Sequence, residues 1–194
     1  MIGLKHRTVE YRRKREGKTN YPKRLHLLLS SKPRVVVRFS KKKIVAQIVE
    51  FTPRGDIVRI GVDSSALRQK GWTYSLSNLP AAYLIGLLFG KEAVKKGHKE
   101  CILDVGLRTP LPGGKTYSFL RGVLDAGLQV PHGEENIFPD PKRISGEHIK
   151  NYGDVVQKNK SSGSHQFTQY LKKNVLPEQI TVQFQEVKKK IVQG

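Results

Sequence analysis

The segment from Leu79 to Gly90 constrains the fold of this chain most, because it is apolar on nearly every side of a helix. Ser77 or Asn78 can cap a helix that begins here, and Gly97 can end it. A membrane span needs roughly 20 consecutive apolar residues, whereas this segment is shorter and contains a proline. We therefore predict a helix that is buried on all sides within a core.

The segments around this helix predict an α/β fold with a mixed sheet. Three runs rich in Val, Ile and Phe precede the helix and are joined by short turns, which favours an antiparallel meander: Arg34 to Phe39, Lys43 to Phe51 and Asp56 to Val62. A strand, a helix and a short strand follow it: Glu100 to Val105, Lys115 to Ala126 and Gly127 to Val130. The order of three strands, helix, strand, helix and strand predicts a mixed sheet covered by helices, with right-handed crossovers.

The remaining chain is predicted to form an arm and an extension. Residues 1–33 are a basic N-terminal arm with a short helix, residues 34–131 the α/β core, and residues 132–194 a C-terminal extension with helices. The stretch from Pro131 to Ser164 is polar and too long for an ordinary connection, so we expect it to lie over a partner. Ile180, Phe184, Val187 and Ile191 follow helical spacing, although the start of this segment also alternates like a strand. We favour the helix.

The charge of the chain indicates a polyanionic partner. A formal net charge of +20 comes from 36 Lys plus Arg against 16 Asp plus Glu, and this surplus repels itself in a compact chain. Residues 1–43 hold fifteen Lys or Arg and only two acidic residues. A solvated helical face or a disordered tail is the alternative for such a run. Hydroxyl, amide and aromatic groups among the cations favour nucleic acid, the densest regular negative charge.

Other features of this part of the chain leave alternatives open. Lysines at the tip of the first hairpin either reach a phosphate backbone or serve as solubilising charge. Pro22 begins a short helix whose Leu25, Leu28 and Leu29 share one face and are expected to dock on the core. Trp72 and Tyr74 follow a cationic run and either stack on RNA or pack in the protein.

Enzymatic alternatives are weaker. The loop Pro112 to Thr116 is similar to a phosphate-binding loop, but Thr109 stands where that motif needs glycine, so we expect no nucleotide hydrolysis. Its backbone N–H groups and Lys115 can still bind a phosphate. A Mg²⁺-dependent nuclease remains the rival enzyme, with four candidate carboxylates that are more simply paired with cations: Asp63, Glu100, Asp104 and Asp125.

No catalytic residue, metal site, cofactor or small-molecule substrate is predicted. The histidines lack metal-site spacing. The single cysteine, Cys101, lies in an apolar strand and is expected to be a core residue in a reducing compartment. No signal peptide or membrane span is apparent, which predicts a cytoplasmic location. A nucleic-acid chaperone that works outside any fixed assembly is the rival binding hypothesis.

Three stretches resemble one protein family: Tyr11 to Tyr21, Leu76 to Tyr83 with the following Gly86 to Leu88, and Arg121 to His132. The family is the large-subunit ribosomal protein that binds 5S ribosomal RNA, universal family eighteen, in its archaeal and eukaryotic form. The stretches occur in the family's order and at its separations, and the resemblance covers about residues 5–150. The chain after residue 150 departs from the family pattern.

The resemblance implies both the fold and the role of the chain. The family's core is a three-layer α/β fold of the ribonuclease H-like kind, which serves as a scaffold without nuclease activity. The implied place is the central protuberance of the large subunit, where the protein joins 5S rRNA to the large-subunit rRNA and to neighbouring ribosomal proteins. Its role there would be assembly and architecture.

The residues expected to face RNA lie mainly in the arm. The arm candidates are Arg7, Arg12, Arg13, Lys14, Arg15, Lys18, Thr19, Asn20, Tyr21 and Arg24. The candidates outside the arm are Arg38, Lys41, Lys43 and Lys115. We expect their cations to neutralise phosphates, while Asn20 and Tyr21 fix the local shape of the RNA.

Overall fold

The fold is a mixed four-stranded sheet packed against helices, seen in a computed structural model that describes residues 9–158, 167–172 and 174–193. The strands are β1 (Arg34–Phe39), β2 (Ile44–Thr52), β3 (Gly55–Asp63) and β4 (Ile102–Asp104). The helices are α1 (Arg12–Arg15), α2 (Tyr21–Leu29), α3 (Ala66–Gln69), α4 (Leu79–Lys95), α5 (Lys115–Asp125), α6 (Pro141–Ser145), α7 (Glu147–Lys158), α8 (Thr168–Leu171) and α9 (Ile180–Gln193). Short 3-10 turns occupy Glu135–Ile137 and Pro177–Gln179.

The strand order in the sheet is β3-β2-β1-β4. β1 to β3 form the predicted antiparallel meander, and β4 pairs in parallel with β1 after the chain crosses through α4. The mixed α/β fold is therefore confirmed. The more specific ribonuclease H-like arrangement stays a prediction, as does the division of the chain into arm, core and extension.

Helix α4 is buried on nearly all sides, as its composition predicts. Asn78 caps its N-terminus by accepting a hydrogen bond from the backbone N–H of Ala81 at 2.9 Å. One side of the helix packs on β2 and β3, a second on α5, and a third on α6 and α9. Packing on three sides explains why the helix needs apolar side chains all round.

Two glycines allow α4 and α5 to approach closely. A Cβ atom added to Gly86 of α4 would lie 2.1 Å from the carbonyl oxygen of Phe119 on α5. A Cβ atom added to Gly122 of α5 would lie 2.2 Å from the carbonyl oxygen of Tyr83 on α4. The backbones of α4 and α5 are thus in direct contact at Gly86 and at Gly122.

The C-terminal helices pack on the core. The predicted helical face of α9 is buried, with Ile180, Phe184, Val187 and Ile191 each at most 3% exposed. Helix α6, which contacts α4 and α9, and helix α7, which contacts α6 and α9, lie within the polar stretch that is expected to cover a partner. Apolar residues such as Ile144 bind the described part of this stretch to the molecule's own core, and its contact with a partner stays a prediction.

Two expectations need correction. The strand expected at Gly127 to Val130 is reduced to a single parallel bridge between Glu100 and Gln129, because Pro131 has no N–H to extend the pairing. The leucines of α2 are not part of the buried core, since Leu25 is 59% exposed, Leu29 is 72% exposed and Leu28 is only half-buried. Polar contacts hold α2 in place instead.

Candidate nucleic-acid interface

The face of the sheet turned away from α4 is open and carries a cationic groove. Val35 and Val37 of β1 point into the core and are fully buried, so the alternating Arg34, Val36 and Arg38 point to the opposite face. The groove between this face and the N-terminal arm has a volume of about 910 Å³. Its lining includes seven Arg or Lys side chains: Arg13, Lys18, Lys23, Arg24, Arg34, Arg38 and Arg108.

Uncharged side chains of the sheet form part of the groove lining, called the floor below, although Asp56 and Asp104 also line the groove beside its cations. Val36 and Val49 line the floor together with Gln47, which pairs with Val36 in the register of β1 and β2. Gln47 also lies opposite Gly61 of β3, which has no side chain to fill the space beside it. A groove that combines an uncharged floor with neighbouring cations can hold phosphates at its rim and the faces of bases below them.

A chain of alternating charges runs across this face. The Arg34 guanidinium is 2% exposed and lies between two carboxylates, with Nη1 donating to Asp104 at 2.9 Å and Nη2 to Asp56 at 2.8 Å. Asp104 also accepts a hydrogen bond from Arg38 at 3.2 Å. Asp56 in turn accepts two hydrogen bonds from Arg24 of α2, at 2.7 and 2.8 Å.

The electrostatics of this chain favour the ionised form of Asp56. The hydrogen bonds from Arg24 lower the pKa of Asp56, and the hydrogen bond from Arg34 adds to the effect against the opposing influence of burial. A bidentate guanidinium–carboxylate pair is among the stronger polar contacts available to a protein. The arm is therefore fastened to the sheet by charge.

The turn between α1 and α2 is folded on itself. Arg13 Nε donates to the hydroxyl of Thr19 at 2.9 Å, and the carbonyl of Arg13 accepts from the N–H groups of Lys18 and Thr19. Gly17 allows this turn with a φ of +62°. Asn20 caps α2 by accepting a hydrogen bond from the N–H of Lys23 at 3.0 Å. Two residues expected to face RNA, Thr19 and Asn20, thus also shape the arm.

The remaining arm candidates are exposed, and several have acidic neighbours. Arg12 lies 3.8 Å from Glu16, Lys18 lies 2.8 Å from Glu16, and Lys14 pairs with Glu10. Arg15 is exposed, and the ring of Tyr21 lies 5.0 Å from that of Tyr11 at the groove wall. Arg7 lies outside the described residues.

The candidates outside the arm are less uniform. Arg38 lines the groove but donates to the backbone carbonyl of Asp104 at 2.7 Å as well as to its carboxylate. Lys43 pairs with Asp63 at 2.9 Å, whereas Lys41 stands exposed at the tip of the hairpin. Lys115 is exposed at the first turn of α5 and does not line the groove. Four of the candidates that line the groove are cations: Arg13, Lys18, Arg24 and Arg38.

Sequence reasoning missed part of the groove. Lys23 and Arg108 line it, but neither stands out from the other cations of the sequence. Arg34 could have been found, because it lies four residues before Arg38 in one strand and must share its face. Asp56 is predicted only as the first residue of the third strand, and its role depends on tertiary contacts that sequence spacing does not show.

Features that suggested catalysis or stacking have other roles. The four candidate carboxylates are each paired with a cation, as in Lys43–Asp63, Lys32–Glu100, Arg34–Asp104 and Arg121–Asp125. No group of three metal-binding side chains is found among the residues that the structure describes. In the loop from Pro112 to Thr116, the N–H of Gly113 donates to the carbonyl of Ile137, and the N–H of Gly114 donates to the carbonyl of Leu111. These two donors are used within the protein.

Trp72 and Tyr74 pack in the protein, which confirms that alternative over RNA stacking, and Cys101 is a core residue as predicted. Trp72 is 1% exposed and Tyr74 is 4% exposed, and the Trp72 indole donates to the carbonyl of Ser75 at 3.1 Å. Cys101 is fully buried, and this burial raises the pKa of its thiol to about 11. No helix in the described ranges is long and apolar enough to cross a membrane.

An α/β core with an uncharged groove floor, cationic walls and a basic arm defines a class of protein that binds polyanions over an extended surface. Comparison with protein families identifies one family within this class. The family model described as ribosomal large subunit proteins 60S L5 and 50S L18 matches residues 5–100. The chain belongs to this family of large-subunit ribosomal proteins. It is a component of a ribonucleoprotein and takes part in translation, and it associates with ribosomal RNA.

Proposed function

We propose that the protein binds 5S rRNA and links it to the large-subunit rRNA and to neighbouring proteins in the central protuberance. It does so as a structural constituent of cytoplasmic ribosomes, without catalysis. The observation that carries the proposal is the groove, which brings seven cationic side chains from the arm, the sheet and the loop after β4 to one face. The family gives the ribosomal setting, and the groove gives a surface on which folded RNA can lie.

The mechanism has two parts that act together. Cations of the arm and groove neutralise phosphates and release counterions, which supplies affinity. The fixed shape of the arm and the uncharged floor select among RNA folds, since single-stranded or bulged bases can reach the floor whereas a continuous duplex cannot. Specificity then comes from RNA shape more than from duplex sequence.

Competition tests the proposed partner. Purified protein should bind 5S rRNA at physiological salt and keep it in the presence of excess transfer RNA, as measured by filter binding or fluorescence anisotropy. By analogy with DNA, roughly six to ten phosphate contacts would lower affinity on the order of a thousand-fold between about 50 and 200 mM salt. Equal displacement by transfer RNA would favour the free chaperone and contradict this proposal.

Two matched double substitutions test the proposed surface. Arg12→Gln with Arg15→Gln removes two exposed positive charges from the arm, and Lys95→Gln with Lys96→Gln removes two exposed charges at the far end of α4. The arm variant should bind 5S rRNA at least tenfold more weakly and with a smaller salt slope, while the α4 variant should stay near the unmodified protein. Equal losses in both variants would show that only total charge matters.

A further inference from the structure

We propose that Asp56 is a positioning residue for RNA, because its carboxylate fastens the arm to the sheet and preforms the groove. An acidic side chain then increases affinity for a polyanion. The set of Arg24, Asp56 and Arg34 is called the clasp below. The inference rests on the proposed RNA-binding role of the arm and names the contact that holds this surface in shape.

The clasp is rigid at its sheet end. Asp56 is the second residue of β3, and its Oδ2 atom accepts from Arg34 Nη2 at 2.8 Å. Arg34 is itself fixed by Asp104 at 2.9 Å and is almost completely buried. The carboxylate of Asp56 therefore has one orientation, and it presents both oxygens to Arg24 at 2.7 and 2.8 Å.

Helix α2 depends on such polar contacts. None of its residues is buried, so apolar packing holds it only weakly. Besides the Arg24 pair, the adjacent Lys23 donates to the carbonyl of Gly106 at 3.0 Å. Asp56 belongs to β3 at one edge of the sheet, and Gly106 follows β4 at the other edge. The two contacts thus span the groove, and losing one frees α2 to swing away from the sheet.

The clasp and simple charge counting predict opposite results. Asp56→Asn removes one negative charge and raises the formal net charge from +20 to +21. Long-range electrostatics alone would then strengthen RNA binding. If the arm must be fastened beforehand, the same substitution weakens binding, because RNA must then order the arm at a cost in conformational entropy.

The control substitution is Glu50→Gln in the same β2–β3 hairpin. Glu50 pairs with Arg59 at 2.6 Å, and its side chain is 31% exposed, against 30% for that of Asp56. This substitution removes the same charge from a similar environment, and the ion pair that it breaks is with Arg59 of β3 and not with a residue of α2. Any difference between the two variants therefore reports the clasp.

Hydrogen exchange of the free protein measures whether the clasp holds α2 in place when RNA is absent. Asp56→Asn and Arg24→Gln should each accelerate exchange of the α2 backbone amides at least tenfold and leave those of β1 and β2 unchanged. Glu50→Gln should change neither, and Asp56→Glu should restore part of the protection. Unchanged exchange in α2 of the Arg24→Gln variant, which keeps the pair between Asp56 and Arg34, would overturn the proposal even if Asp56→Asn unfolds the chain.

Binding to 5S rRNA measures how breaking the clasp changes the affinity for RNA. We expect Asp56→Asn to weaken affinity about tenfold and Glu50→Gln to leave it equal or slightly higher. The double variant of Arg24→Gln and Asp56→Asn should bind no more weakly than the weaker single variant, since both break one contact. Equal or tighter binding by Asp56→Asn overturns the inference. Absence of binding by the unmodified protein contradicts the proposed function instead, and the exchange experiment still decides the clasp.

Discussion

Arg34 shows how a single residue can connect the core to the surface. Its backbone lies in β1 between core strands, while its guanidinium neutralises one carboxylate at each edge of the open face. A buried cation of this kind is stable only while its partners remain, because an uncompensated charge is poorly solvated inside a protein. Arg34 thus has a structural role as a buried residue, and its charge also affects the electrostatics of the groove.

Asp104→Asn should destabilise the protein by about 3 kcal/mol, because it leaves Arg34 with one carboxylate instead of two. Urea unfolding followed by circular dichroism measures this. The control is Glu100→Gln, which breaks an exposed pair with Lys32 and should cost about 1 kcal/mol or less. Equal losses in the two variants would contradict a special role for the buried pair.

The ionisation of Asp56 gives a prediction about pH. Because Arg24 lowers the pKa of Asp56, the clasp contributes stability above the ordinary pKa of 3.8 and loses it as pH falls through the lower folded-state value. The clasp should therefore be intact at pH 5 to 8. A carboxyl titration by nuclear magnetic resonance should place the midpoint of Asp56 below 3.8. A midpoint at or above that value would show that the pair with Arg24 is not formed in solution.

At the scale of elements, the contact between α4 and α5 depends on having no side chain at two positions. Gly122→Ala should destabilise the protein by roughly 3 kcal/mol or more, because the added Cβ atom meets backbone that cannot rotate away. Thermal unfolding would show the loss. Gly133→Ala is the control, since a Cβ atom there meets nothing within 4 Å. A nearly unchanged melting temperature for Gly122→Ala would mean that the helices lie further apart.

Helix α9 should contribute to the stability of the core. Phe184 is 3% exposed and its ring lies 5.6 Å from that of Tyr83 on α4, so Phe184→Ala should cost roughly 3 to 5 kcal/mol. Val182 lies on the same helix at 59% exposure, and Val182→Ala should cost less than about 1 kcal/mol. Denaturant unfolding of both variants separates a packed helix from a detached extension, for which both losses would be small.

Some elements of the fold could be predicted from the sequence and others could not. Periodicity located α4, α5, α9 and the meander, because burial imposes a regular spacing on apolar residues. It failed for α2, where Leu25 and Leu29 have helical spacing but stay exposed. It also missed α6 and α7. Helix α6 begins at a local cap, in which Asp140 accepts a hydrogen bond from the N–H of Lys142 at 2.8 Å.

The candidate site was predictable in composition but not in geometry. The basic run marked the arm correctly as a place where cations concentrate. It did not show that Asn20 caps a helix or that Arg38 is bound to Asp104, since both facts depend on the folded chain. Whether each predicted residue touches RNA stays a prediction.

For the whole molecule, the charge surplus should make the free protein sensitive to salt. A net charge of +20 disfavours the compact state through self-repulsion, which salt screens over distances of about 10 Å at 0.1 M. The melting temperature should therefore rise when sodium chloride increases from about 20 to 300 mM in the absence of RNA. Scanning calorimetry measures this. A falling melting temperature would mean that surface ion pairs outweigh the repulsion.

The position of α9 in the chain also affects the order of events during synthesis. Helix α4 ends at Lys95, yet one of its sides is covered by α6 and α9, and α9 ends only at Gln193. Part of the apolar surface of α4 in a growing chain consequently stays exposed while roughly the next hundred residues are added. Until then the nascent protein must stay clear of other chains, or be shielded by a chaperone, before it can enter an assembly.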